Sequence, residues 1–289
     1  MPHIAILPYG AKPKKLGDVP LDQLHFPLGA PLDLSGHIRD LGPQDHIILY
    51  PNTWIYGPKA WGINAKCSVM VLEPKAIHKK HMVALRFLHR SFHCVFTCNP
   101  DLLNAIPNGK FLAFGGSWVS EWKTLDCAKT EMTSLIASAK RKLEGHKLRH
   151  ALIDTLADQK HNINIMGRGF KPFEIKSDGL APYRYSVVIE NVCEPSYFTE
   201  KLIDAFLCET VPIYWGAPDI GQYFDTDGMI LCDTLEDIKT ALTKTSTADY
   251  AARQQAITDN KQTATAYIDF RKTAASIILE AEHPRPKPS

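Results

Sequence analysis

Six side chains able to bind or polarise a charged ligand fall within twelve positions: Glu190, Asn191, Tyr197, Thr199, Glu200 and Lys201. Ahead of them the apolar, β-branched run Tyr185 to Ile189 reads as a buried strand, and Pro195 ends any ladder there. From Tyr197 a helical pattern takes over, with Phe198, Leu202, Ile203, Phe206 and Leu207 on one side. A second strand, Val211 to Trp215, stops at Gly216 and Pro218. Strand, loop, helix and strand make a βαβ unit, whose ligands sit beyond the carboxyl ends of the strands, beside the following helix starts. Unpaired N–H groups and the positive dipole end favour phosphate at such a start. Taken singly, each of these residues is better explained by helix capping or a solvated Glu-Lys pair; six of them together are not.

The elements that must carry this stretch can be read outward from it. Strands are expected at His3–Leu7, His46–Tyr50, Cys67–Leu72, His93–Thr97 and Phe111–Phe114, with a helix over His78–Arg90. Residues 11 to 44, rich in Pro and Gly, read as a loop. After Gly115–Trp122 the pattern restarts: strand Met132–Ala137, helix Gly145–Ala157, strand Ile163–Met166, then the motif, then strand Met229–Cys232 and helix Leu235–Leu242. Two sets of alternating strands and helices predict two α/β domains with parallel sheets and a cleft between them. The expected division is 1–125, 126–245 and a helical tail, 246–289, packing back across the domains, with HPRPKPS at its end read as disordered.

The order Tyr183 to Ile189, Glu190-Asn191, Tyr197-Phe198-Thr199-Glu200-Lys201 and Val211-Pro212-Ile213-Tyr214-Trp215-Gly216 resembles the donor-binding motif of glycosyltransferase family 10, the α1,3/α1,4-fucosyltransferases. That resemblance implies a GT-B-like fold of two Rossmann-like domains, with acceptor binding in the first and nucleotide-sugar binding in the second. It implies an inverting enzyme that moves fucose from GDP-fucose to a glycan hydroxyl. Transfer of another GDP-linked deoxy-sugar, or nucleotide-sugar binding without catalysis, stay open as alternatives. The motif's matching positions put Asn191, Tyr197 and Glu200 on the donor; the separate run Leu148 to Asp154 resembles the family segment whose arginine, here Arg149, contacts the donor phosphate, and Lys201 sits in the first turn of the helix that should point at it. Arg149 and Lys201 would hold the diphosphate, where a guanidinium can grip two oxygens at once. Glu200 would contact the nucleoside or stabilise positive charge at the anomeric carbon. Glu73, at the end of the CSVMVL strand and followed by Pro74, takes the place of the family's catalytic base. No cofactor is required under this reading, although a divalent cation could stimulate turnover.

Other features are weighed against it. Lys140, Arg141 and Lys142 form a rival basic loop; Gly167 and Gly169 would let backbone approach a ligand. Asp225-Thr226-Asp227 spells D-x-D but precedes a glycine, as a turn does. His78, His81 and His89 can share a helix face, yet lack the glutamate spacing of a metalloprotease helix. The 289 residues are 45% hydrophobic and 22% charged with a net charge of +2, which argues for a folded protein and against a nucleic-acid partner. Seven cysteines without a C-x-x-C pair read as buried free thiols of a reducing compartment. The start MPHIAILPYGAKPKK has no cleavable signal pattern, so the expected location is cytoplasmic. The expected partners are a GDP-sugar and a glycan or lipopolysaccharide-type acceptor, with peripheral membrane association left open.

Overall fold

Ile47, Ile48 and Leu49 are fully buried, as are Val69, Met70 and Val71. Strands covered on both faces belong inside a parallel sheet with helices above and below. The computed structural model describes residues 2–57, 62–157 and 163–282. It divides into one unit of Met1–Leu112 with Phe270–Ser289 and a second of Ala113–Asp269. The expected disordered end, HPRPKPS, lies outside the described residues.

In the N-terminal unit, β1 (Ile4–Ile6), β2 (His46–Leu49), β3 (Lys66–Val71), β4 (Val95–Thr97) and β5 (Gly109–Phe111) form a parallel sheet in chain order. Helix α1 (Lys75–Leu88) begins three residues before the expected His78, because Pro74 supplies the extended residue from which it starts. His78, Met82 and Leu85 face inward from it. Asn99 caps α2 (Pro100–Ala105) by accepting from the Leu102 N–H at 3.0 Å. The segment read as loop, 11 to 44, is irregular but not loose: Leu16, Leu21, Ile38 and Leu41 enter the core. Three short 3-10 turns and a Pro20–His37 bridge hold it there. Such burial has no regular period, so the pattern of the sequence does not reveal it.

In the C-terminal unit, β6 (Glu131–Ile136), β7 (Ile163–Met166), β8 (Tyr183–Ile189), β9 (Val211–Trp215) and β10 (Ile230–Leu231) are parallel in the order β7-β6-β8-β9-β10. The chain starts at β6, steps outward to β7 and returns to β8 on the other side. That reversal leaves a crevice beyond the carboxyl ends of β6 and β8, the usual ligand position in such sheets. Ser134 and Ser186, buried on these two strands, satisfy each other at 3.0 Å. The helices are α3 (Glu144–Ala157), α4 (Glu200–Leu207), α5 (Leu235–Lys244), α6 (Thr247–Ala252) and α7 (Gln254–Ala264).

The units part at Leu112 and Ala113, not at 125 and 126. Residues 113 to 122 go with the second unit because Val119 is buried in its core and the Gly115 N–H donates to the Phe198 carbonyl. The tail is divided in the same way. Asn260 bonds Asp225 through both ends of its amide, at 2.8 Å each, holding α7 to the C-terminal unit. The last helix, α8 (Phe270–Glu282), belongs to the N-terminal unit, where Arg271 Nε donates to the Tyr50 hydroxyl at 3.1 Å.

Candidate active site

Glu190, the first residue past β8, is fully buried, and its carboxylate organises the crevice. The Thr199 N–H donates to Oε1 and the Thr199 hydroxyl to Oε2, each at 2.8 Å. Lys201 Nζ lies 3.3 Å from Oε2 and 3.4 Å from a Glu200 oxygen. Helix α4 therefore starts at Glu200 with Thr199 as its cap, and Tyr197 and Phe198 precede it. The expected start at Tyr197 fails for a local reason: Ser196 takes the left-handed conformation, φ +61°, and Thr199 is extended. Asp219 fixes that bend by accepting from the Ser196 N–H at 2.7 Å and from its hydroxyl at 2.8 Å. The helix start expected to face a phosphate is thus already met by a carboxylate of the protein.

Arg149 stands on the second turn of α3 and is 6% exposed, so it is no solvated helix arginine. Its position follows from how closely α3 meets the end of β8. The Gly145 N–H donates to the Asn191 carbonyl at 3.0 Å, and a Cβ on Gly145 would lie 1.7 Å from the Glu190 carbonyl oxygen. One Arg149 terminal nitrogen donates to the Asn191 side-chain oxygen at 3.2 Å, while Nε has no hydrogen-bond partner among the described residues. Burial pushes the guanidinium below its ordinary pKa, and the nearby Glu190, Glu200 and Tyr197 oppose that shift. A cation in that state is short of anionic partners. His150, one residue on, bonds the carbonyls of Ser138 and Lys140 at 3.1 and 3.2 Å and so pins the loop after β6.

A third group was not singled out from the sequence. Asp204, fully buried in α4, accepts from the Ser117 hydroxyl at 2.7 Å and the Trp118 N–H at 3.0 Å, with Lys176 at 3.5 Å. It anchors the loop Gly115–Trp118, in which Gly115 pairs with Thr199 and Gly116 lies beside Glu200. Gly115, at φ +47°, has no room for a side chain, since a Cβ would meet the Tyr267 carbonyl at 2.5 Å. Burial would raise the Glu200 pKa, but Lys201, Lys176 and Thr199 hold it below the usual carboxylate range. Lys201 is raised in turn: burial opposes its charge, and Glu190 and Glu200 more than restore it. The signal for Asp204 was present in the sequence, an acid four residues after Glu200 and so on the same face of α4.

Of the expected site residues, the fold brings Arg149, Asn191, Tyr197, Glu200 and Lys201 to one end of the C-terminal sheet. Tyr197 is buried with its ring 6.3 Å from that of Phe114. Glu73 is half-buried just past β3 in the N-terminal unit, immediately before Pro74 and α1. Lys140, Arg141 and Lys142 are exposed. Gly167 serves a close approach to protein, since its Cβ would lie 2.2 Å from the Ala137 carbonyl oxygen. Asp225 accepts from the Asp227 N–H at 2.9 Å, as the cap of a 3-10 turn. The rings of His78 and His81 touch edge to face, while His81 is bonded to Tyr56 and His89 to Asn108. A different set of donors, His46, His93 and Glu282, does lie within 4.8 Å of one another in the N-terminal unit, and the Lys66 ammonium already bonds Glu282 there.

Comparison with known proteins bears on what this geometry serves. Residues 127–283, more than half of the chain, match the family model described as glycosyltransferase family 10 (fucosyltransferase) C-term. The alpha-(1,3)-fucosyltransferase FucT of Helicobacter pylori is 36% identical over 55 residues, 19% of this chain; the matched stretch spans 12% of that relative's length. A crystal structure of an alpha1,3-fucosyltransferase with GDP-fucose aligns with a TM-score of 0.52 at 17% identity, covering 83% of this chain and 80% of that one. An alpha-glucosyltransferase in complex with UDP-glucose and DNA containing an abasic site aligns with a TM-score of 0.57 at 12% identity, covering 84% and 82%. At such identities the likeness is one of fold: two Rossmann-like α/β units of the GT-B kind.

Proposed function

Since this chain belongs to glycosyltransferase family 10, whose model matches residues 127–283, we propose that it moves fucose from GDP-fucose to a hydroxyl of a glycan acceptor. The observation that carries the proposal is Arg149, a buried guanidinium with one hydrogen bond, at the crevice between β6 and β8. A diphosphate would supply the anionic oxygens that the fold withholds from it. Lys201 keeps its charge close by, although its ammonium leans on Glu190 and Glu200. Asn191 and Tyr197 border the same space and contact the ribose or base.

On this reading the chemistry is a single displacement. The acceptor oxygen attacks the anomeric carbon as the bond to GDP breaks, with inversion. Glu73 of the N-terminal unit takes the acceptor proton. Positive charge builds on the sugar ring as the bond stretches. Glu200, held ionised by Lys201 and Lys176, opposes it electrostatically. Arg149 takes up the charge that develops on the departing diphosphate.

Measuring GDP release against a panel of GDP-sugars tests the proposal. Turnover with GDP-fucose that Glu73→Gln abolishes, while donor affinity is kept, is the expected result. Turnover only with another GDP-sugar would overturn the fucosyl assignment, and donor binding with no turnover in any condition would overturn the enzyme.

A further inference from the structure

Helix α1 is apolar on the wrong side. A surface helix normally buries its apolar stripe and shows polar residues to water. Here Met82 and Leu85 are buried, yet Ile77, Val83, Phe87 and Leu88 stand 47%, 50%, 79% and 41% exposed. Val83 and Phe87 are four residues apart and therefore adjacent on the same face. Among the exposed large hydrophobic residues that the structure describes, these four are the group carried by a single helix.

The charges carried by this segment have one sign, and the acid beside it is Asp101. From Lys75 to Pro100 there is no Asp or Glu, while Lys75, Lys79, Lys80, Arg86 and Arg90 all lie there and all are exposed. Lys75 is paired with Asp101. The other four have no carboxylate within 4 Å among the described residues. Because the whole chain carries only +2, this concentration is local to α1 and the turn that follows it.

We propose that the outer face of α1 docks this protein on an anionic lipid surface, with Phe87 and Val83 entering the headgroup boundary and the four unpaired cations facing lipid phosphates. Apolar side chains bordered by Lys and Arg are the chemistry of a helix lying in a membrane interface. A nucleic acid would use the cations and leave Phe87 in water. No described helix is long and apolar enough to cross a bilayer, so the contact is peripheral. Glu73 stands two residues before α1. Docking there would set the proposed base beside the membrane, which suits a lipid-anchored glycan acceptor; that corollary rests on the function proposed above, whereas the docking does not.

Co-sedimentation with phosphatidylglycerol-rich vesicles, against pure phosphatidylcholine vesicles, reads the docking directly. Binding to the anionic vesicles alone is expected, weakened roughly tenfold by Phe87→Ser and roughly fivefold for each cation removed in Lys79→Gln and Lys80→Gln. These side chains are exposed, so melting temperature and GDP affinity should stay unchanged. Failure to bind anionic vesicles overturns the proposal, and so does binding that Phe87→Ser leaves intact. Self-association of the unmodified protein that Phe87→Ser abolishes, without vesicle binding, would assign the face to a second copy instead. Because vesicle binding is measured without turnover, it can fail while the glycosyltransferase reading stands, and the reverse.

Discussion

Removing a guanidinium from water without an anion hydrogen-bonded to it is costly, and the fold does this at Arg149 with a single bond to Asn191 in return. Arg149→Ala should therefore lower kcat/KM for GDP release by roughly a hundredfold or more while leaving the melting temperature unchanged or raised. Arg149→Lys should restore little, since an ammonium cannot grip two oxygens at once. Equal donor affinity in both variants and the parent would remove Arg149 from the donor site. Glu190 acts the other way, as the inner support. Glu190→Gln keeps the shape but takes the charge from Lys201, so unfolding in denaturant should show a loss of about 3 kcal/mol, rather than a change confined to KM. The order of the motif made Glu190 and Lys201 visible in the sequence, and the run Leu148 to Asp154 did so for Arg149, but neither gave the direction of the side chains. Spacing put Lys201 on the ligand, and only packing shows its ammonium turned toward two carboxylates. Asp204 and Lys176 escaped because one lies within an apolar helix and the other in a segment without periodicity.

At the scale of elements, the buried runs of β3, β8 and β9 were legible because a strand covered on both faces must be continuously apolar. Where α4 begins was not, since the left-handed Ser196 depends on Asp219, more than twenty residues away in sequence, and the extended Thr199 on Glu190 across the loop. Strand order was also out of reach. Nothing in the composition of β6 says that β7 lies on one side of it and β8 on the other, yet that reversal makes the crevice. The contact that sets α3 there can be tested at one atom. Gly145→Ala would place a methyl 1.7 Å from the Glu190 carbonyl oxygen, so α3 must shift outward and carry Arg149 with it. The expected result is a loss of about 1–3 kcal/mol of stability, as for other forced overpacking, together with weaker donor binding. Unchanged stability and GDP affinity would mean that the close approach does not position the site.

At the scale of the molecule, the two units differ in their response to acid. Two histidines of the N-terminal unit have pKa values lowered to about 4: His46 by burial and the neighbouring His93, and His78 by burial and the neighbouring His81. Both titrate near 6.5 once unfolded. Above that pH neither state is protonated, and their neutral burial costs nothing extra. Between 6.5 and 4 the unfolded chain takes up protons that the folded unit refuses, so stability is full above the unfolded value and drains away as pH falls toward 4. At pH 5 the loss is about 2 kcal/mol per histidine, from about 1.4 kcal/mol for each tenfold change in proton concentration. Thermal unfolding at pH 7 and pH 5 should show the transition of the N-terminal unit moving down. Excess GDP, which the proposed site would bind on the C-terminal unit, should raise that unit's own transition without restoring the first. His78→Phe should flatten the pH dependence even if it shifts the midpoint at pH 7, because a side chain that cannot be protonated leaves the unfolded state no advantage in acid. An N-terminal transition at the same temperature at both pH values would show that these histidines are not held neutral by the fold.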